Sequence, residues 1–289
     1  MASRGSPVRI LGRGLAILLI SGLAGATLVR LAPGFGVDER ALDPRLSAHS
    51  LQAIERQYAR DRNPLEFYIR FLSGLLRGDA GQSVVFGEPV GGLIRERMPT
   101  TIHEVLAGLG IGWMAALIFA TSGALSGRAP AVLAGMAVSG SLLSIPSAVL
   151  ATLCLVLRLA PAFAIAAVVF PRVFPHVFEQ LRASLCAPHV VMARARGVPG
   201  ARLFLFHVVP PALMPLVALA GVSVTLAFGA SIPIEALADA PGLGQLAWRA
   251  ALGRDLPVLV SITLLLTLLT VVTNIVADLV LGRLGRRAA

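Results

Sequence analysis

Four stretches of this chain run for more than twenty residues without a formally charged side chain: Val105–Leu125, Ala131–Leu157, Leu203–Ile234 and Leu256–Ala277. The third carries only His207, near its start. A helix rises about 1.5 Å per residue and the bilayer core is about 30 Å thick, so roughly 20 apolar residues cross it. In lipid the backbone has no water to bond, and a helix satisfies its own N–H and C=O groups. The runs lack the alternation of a lipid-facing strand, which argues against a barrel. Two further segments are expected to span. Ile10–Ala32 places Arg13 and Arg30 toward its ends, where long side chains reach the interface. Leu159–Phe178 is more polar, with Pro161, Pro171, Arg172, Pro175 and His176. The expected fold class is all-α, a polytopic membrane helix bundle of about six transmembrane helices. Composition agrees: 56% apolar, 14% charged and a mean hydropathy of +0.81 lie outside the soluble range.

All 25 basic residues are arginine, with no lysine anywhere. A P-loop needs the lysine of G-x-x-x-x-G-K-[ST]. If ATP drives this chain, the ATPase is therefore another polypeptide, and the chain itself is expected to be no enzyme and to hold no cofactor. The net charge of +10 is no nucleic-acid footprint, because the arginines mostly flank spans. Positive residues in short loops face the cytoplasm. With six spans, that side holds Arg4, Arg9, Arg13, Arg128, Arg182, Arg194, Arg196, Arg202, Arg283, Arg286 and Arg287 against Glu179 and Asp278. Both termini are then cytoplasmic. The first apolar run follows Arg4, Arg9 and Arg13 as in a signal peptide, but its small-residue cleavage site is poor and further spans follow. It reads as an uncleaved signal-anchor.

Three segments follow from this reading: residues 1–32, a tail and the first span; 33–101, an extracytoplasmic segment; and 102–289, five spans with a polar loop at 179–202. Within the second, Leu51, Ile54, Tyr58, then Leu65, Tyr68, Ile69 and Leu72 recur at helical spacing. Pro64 is placed to begin a helix after Asn63. Two short amphipathic helices are expected, as a packing cap or as a binding surface.

The polar loop 179–202 is the least expected feature of so apolar a chain. It carries Arg182, Arg194, Arg196 and Arg202, and Gly197. A short helix from about Pro188 to Arg196 would start at a proline and stop at a glycine able to take the left-handed conformation. Val190, Val191, Met192 and Ala193 offer apolar contact there, and Arg194 and Arg196 charged contact. The loop reads as a docking element for a cytoplasmic protein, or as a solvated amphipathic loop.

Catalytic groupings are absent. There is no H-E-x-x-H, no G-x-S-x-G and no cysteine–histidine metal spacing. His49, His103, His176, His189 and His207 are scattered, and Cys154 and Cys186 stand alone. No metal site is expected. The span centres are expected to hold no ionisable groups, which argues against a proton-coupled carrier.

The order of several elements resembles the inner-membrane permeases of the oligopeptide/dipeptide/nickel branch of ABC importers. They are Arg30-Leu31-Ala32-Pro33-Gly34; Phe71 to Asp79 with Gly81-Gln82-Ser83; Val90 to Arg97 with Met98-Pro99-Thr100-Thr101; and Ser144-Ile145-Pro146-Ser147. Further along come Ala193-Arg194-Ala195-Arg196-Gly197, Leu213-Met214-Pro215, Pro241-Gly242-Leu243-Gly244, Arg254-Asp255-Leu256-Pro257, and Asn274 with Asp278. The resemblance implies a type I ABC importer permease fold in a bacterial inner membrane, moving a small solute, most readily a peptide. It implies an ATPase-coupling loop of Val191, Met192, Ala193, Arg194, Arg196 and Gly197 with Pro215, where Val191 stands at the family's acidic position. It implies contact with an extracytoplasmic solute-binding protein through Glu235, Pro241, Gly242, Gly244, Arg254 and Asp255. A translocation path along Gly221, Ser223, Gly229 and Ser231 is expected, although small residues also serve helix packing. The implied partners are a second, related permease, two cytoplasmic ATPase subunits that bind the ATP, the binding protein and the bilayer. An ATP-independent carrier and a non-transporting membrane scaffold are the alternatives.

Overall fold

The computed structural model describes residues 7–31, 63–126 and 129–288. Among them the structure is helical, with one isolated bridge between Gln82 and Pro89. The helices are α1 (Pro7–Leu31), α2 (Pro64–Leu75), α3 (Val90–Ser126), α4 (Ala129–Ser144), α5 (Ser147–Val156), α6 (Pro161–Leu185), α7 (Pro188–Ala195) and α8 (Gly200–Leu203). A π-helical turn, Phe204–Val208, then leads into α9 (Val209–Leu237), α10 (Leu243–Leu252) and α11 (Leu256–Ala288). Among the described residues, four helical stretches are long and apolar enough to cross a membrane: Val90–Leu125, Pro161–Leu185, Gly200–Leu237 and Leu256–Arg283. In α1 the described apolar part is Gly12–Leu28.

One expectation changes. The run 131–157 is not one straight span but two helices that meet at 97°. Pro146 is the cause. It has no N–H to continue the ladder and disfavours helical backbone at Ile145, so α4 stops at Ser144 and α5 starts after the proline. Apolarity alone does not reveal such a break.

The chain forms two compact units. In the unit of residues 1–98 and 246–269, α1, α2 and the start of α11 share a core of Ala26, Phe67, Tyr68, Phe71, Leu256, Val260 and Leu264. Gly22 brings α1 close: a Cβ there would lie 2.5 Å from Tyr68 Oη and 2.7 Å from Leu264 Cδ2. The Ser21 hydroxyl donates to Thr267 Oγ1 at 3.1 Å. Helix α2 begins at Pro64, capped by Asn63 Oδ1, which accepts from Leu65 N–H at 3.1 Å. Its inward face is Phe67, Tyr68 and Phe71, one residue round from the expected stripe, so Leu65 and Ile69 face outward. The earlier amphipathic stretch with Leu51, Ile54 and Tyr58 lies outside the described residues.

In the unit of residues 99–245 and 270–289, α6 is the central helix, packed against α4, α5 and α9. The sequence had marked it as the most polar span. It is the most enclosed, with Ile165, Val169, Val173, Phe174 and Val177 inaccessible or nearly so. Its phenylalanines stack along one face, Phe170 on Phe174 at 5.5 Å and Phe174 on Phe178 at 6.3 Å. The neighbouring helices approach through small residues. A Cβ on Gly108 would meet Ile165 Cβ at 2.6 Å, and one on Gly135 would meet Phe174 Cζ at 2.5 Å.

Candidate functional site

Helix α7 is the exposed element between the long helices α6 and α9. It starts with Pro188 in its first turn, where a missing N–H costs nothing. It ends in paired hydrogen bonds, from Gly197 N–H to the Arg194 carbonyl at 3.0 Å and from Val198 N–H to the Ala193 carbonyl at 3.3 Å. That pairing needs a left-handed residue, and Gly197 supplies it at φ +78°. Val190 and Ala193 are buried and hold the helix down, so they leave the contact face on which both had been placed. Val191 and Met192 are 57% and 58% exposed, flanked by exposed Arg194 and Arg196. The outward face is therefore an apolar pair bounded by guanidinium groups.

A side chain also ties α7 to the start of α9. Pro210 and Pro211 have no N–H, which leaves the carbonyls of Phe206 and His207 without their usual helical donors. The backbone takes a π turn there, with Val209 N–H bonded to the Phe204 carbonyl. His189 Nε2 lies 3.2 Å from the freed His207 carbonyl, within hydrogen-bonding reach. The proline pair is plain in the sequence, but its link to α7 is not legible there. Pro215 lies inside α9 with its ring exposed.

At the far end of α9, Glu235 is fully buried. One of its oxygens, Oε2, accepts from Thr101 Oγ–H at 3.0 Å and from Gly244 N–H at 2.7 Å. Thr101 Oγ1 in turn accepts from Leu243 N–H at 2.8 Å. The chain from Pro241 to Gly244 folds so tightly over this carboxyl that a Cβ on Gly242 would lie 2.0 Å from Oε2. On Gly244 a Cβ would lie 2.6 Å from Ile232 Cα. The glycines and Glu235 are thus one buried lock. Only Pro241 of that set is exposed, which corrects the expectation of Glu235, Gly242 and Gly244 as surface contacts. The signal available in the sequence was an acidic residue joined to the end of an apolar run and followed by P-G-L-G.

Asp255 is likewise fully buried. It accepts from the Ser83 hydroxyl and from Val85 N–H at 3.0 Å, and it precedes α11, whose Val258 N–H is 3.4 Å away. Asp255 therefore pins the 76–89 loop to a helix start, and its side chain faces no partner surface. Arg254 beside it is half-buried at φ +55°.

Two polar groups on the long helices were undervalued in the sequence. Glu104 on α3 accepts from Ala162 N–H at 2.7 Å, capping the first turn of α6. Arg172 sits midway along α6, contrary to the expectation of span centres without ionisable groups. Its Nη1 donates to the Val168 carbonyl at 3.0 Å.

A cavity of about 590 Å³ opens at the α4–α5 break, between α6 and α9, with Arg172 and Gly229 in its lining. Of the four expected path residues it brings only Gly229 to this cavity. Gly221 is buried, with room for a Cβ only 3.2 Å from Ala277. Ser223 and Ser231 are buried and donate to the carbonyls of Leu219 (2.7 Å) and Phe228 (2.9 Å).

The geometry defines a class: an all-α, multi-pass membrane protein with an exposed, glycine-stopped helix between two long spans. Comparison with known proteins places it. The family described as binding-protein-dependent transport system inner membrane component matches residues 108–289. The chain belongs to that family. Its relatives include the oligopeptide transport system permease protein AppB of Bacillus subtilis (strain 168), 25% identical over 91% of this chain and 92% of that protein. A putative peptide permease protein of Brucella ovis is 28% identical over 92% of this chain and 93% of its own. The oligopeptide transport system permease protein OppB of Escherichia coli (strain K12) is 28% identical over 82% and 84%. The chain is a permease component of an ABC-type bacterial transport system, embedded in the membrane.

Proposed function

We propose that this chain forms one half of the membrane pathway of a peptide importer driven by two separate ATPase subunits. The outward face of α7 carries the reading. Val191 and Met192 between Arg194 and Arg196 make a small apolar patch with a basic rim, suited to an apolar groove with an acidic margin on a cytoplasmic partner. A rigid cap at Gly197 and the His189 contact let displacement of α7 move the start of α9. ATP-driven approach of the two ATPase subunits would draw paired coupling helices together and switch the pathway from outward to inward opening. The second permease is a related chain. A binding protein delivers the peptide on the extracytoplasmic side, where Pro241 is exposed. Both termini lie in the cytoplasm, on the arginine distribution. The peptide assignment rests on the relatives' names.

The test is affinity purification of the tagged chain from its native membranes in mild detergent. The expected partners are a P-loop ATPase and a second permease, with the ATPase lost from Arg194→Glu and from Gly197→Asp while the permease remains. Recovery of an active chain alone, with uptake that needs no ATP, would establish the carrier reading instead.

A further inference from the structure

Arg172 is the twelfth residue of the 25-residue helix α6, about 17 Å from one end and 20 Å from the other at 1.5 Å per residue. A guanidinium at that depth is costly against lipid and belongs on a water-filled space or on a partner group. Among the described residues, the only hydrogen bond on its side chain is the one to Val168, and its remaining donors have no partner there. No carboxylate pairs with it among the described residues. It lines the cavity at the α4–α5 break together with Ser147 and Thr225, whose hydroxyls have no hydrogen-bond partner among the described residues. Leu142 and Leu226 supply apolar wall. The volume is that of a small-molecule site. A planar fork of donors in an apolar-walled recess selects a carboxylate, which it can hold through two parallel N–H···O bonds.

We infer that Arg172 receives the carboxylate of a solute in transit, so that this permease favours solutes ending in a free carboxyl group over neutral ones. This rests on the peptide-permease reading. The site lies within the membrane and is separate from any selection by the binding protein.

The experiment uses the complete importer in proteoliposomes, with trialanine and trialanine amide as probes, each at a concentration that saturates the binding protein. Wild type should take up the free acid at least about tenfold faster than the amide, the scale of one charge-assisted hydrogen-bonded pair. Arg172→Gln should lower free-acid uptake to the amide rate and leave amide uptake unchanged, and Arg172→Lys should restore part of the difference. With Cys154 and Cys186 replaced by serine, Arg172→Cys should react with an anionic methanethiosulfonate and be slowed by trialanine. Equal free-acid uptake by wild type and Arg172→Gln would overturn this inference alone. Loss of the second permease from the Arg172→Gln complex would overturn it too, by showing that the guanidinium pairs with that subunit. ATP-dependent uptake of neither probe by wild type would overturn the peptide-permease reading along with it.

Discussion

Gly242→Ala should unlock the buried carboxyl at the end of α9. The new Cβ would start 2.0 Å from Glu235 Oε2, 2.5 Å from its Cδ and 2.7 Å from Thr101 Oγ1, where ordinary contact begins at 3.4 Å. Relief requires Glu235 to withdraw from Gly244 N–H and Thr101 Oγ–H, and Thr101 to withdraw from Leu243 N–H. Each broken bond strands a buried polar group, at about 1–2 kcal/mol apiece, so the loss is about 3–6 kcal/mol. An SDS-titration unfolding curve in mixed micelles reads it directly, as a fall of more than about a hundredfold in the folded-to-unfolded ratio. A double-mutant cycle isolates the cause. With Glu235→Ala already present the contacts to Oε2 and Cδ are gone and only Thr101 Oγ1, 2.7 Å away, must still move, so Gly242→Ala should then cost about 1–2 kcal/mol, one stranded bond in place of three. Equal costs in the two backgrounds, or a single variant within about 0.5 kcal/mol of wild type, would refute the lock.

Asp255→Ala removes the acceptor for the Ser83 hydroxyl and Val85 N–H and should destabilise the protein by about 2–4 kcal/mol in the same titration. The 76–89 loop should become the first point of proteolytic cleavage. His189→Ala cuts the link between α7 and the His207 carbonyl. It should leave ATPase recovery unchanged in affinity purification and reduce ATP-dependent trialanine uptake severalfold, whereas normal uptake would show that the link transmits nothing.

Much of α7 could be read from the sequence because its boundaries are chemical. Pro188 can start a helix and Gly197 can stop one, and the structure keeps both ends to within a residue of the expectation. Which side faced outward was less legible: over eight residues one turn decides it, and Val190 and Ala193 proved to be anchors. The described residues give the first of the six expected spans, Ile10–Ala32, only the shorter apolar stretch Gly12–Leu28, and four others, at 105–125, 159–178, 203–234 and 256–277, followed from length and composition. The 97° break at Pro146 did not, because a proline in a membrane helix kinks, breaks or is tolerated according to its neighbours. Glu235 and Asp255 resembled loop residues because each lies beside a polar turn. Their burial comes from chain return, Gly244 onto Glu235 across nine positions and Ser83 onto Asp255 across 172. The contact across 172 positions has no local signature. Arg172 was visible as a letter, but its cavity depends on the α4–α5 break.

If the outward face of α7 docks the ATPase, residues on that face lie against the ATPase subunit in the assembled complex. The direct measurement is cross-linking from Met192→Cys, with Cys154 and Cys186 replaced by serine, in membranes containing the whole complex. A bifunctional maleimide should join this chain to the ATPase subunit, with a yield that changes between ATP-bound and nucleotide-free states. Ala193→Cys, on the buried face, should give none. An ATPase subunit that co-purifies with the chain yet is cross-linked from neither position, or equally from both, would contradict the claim.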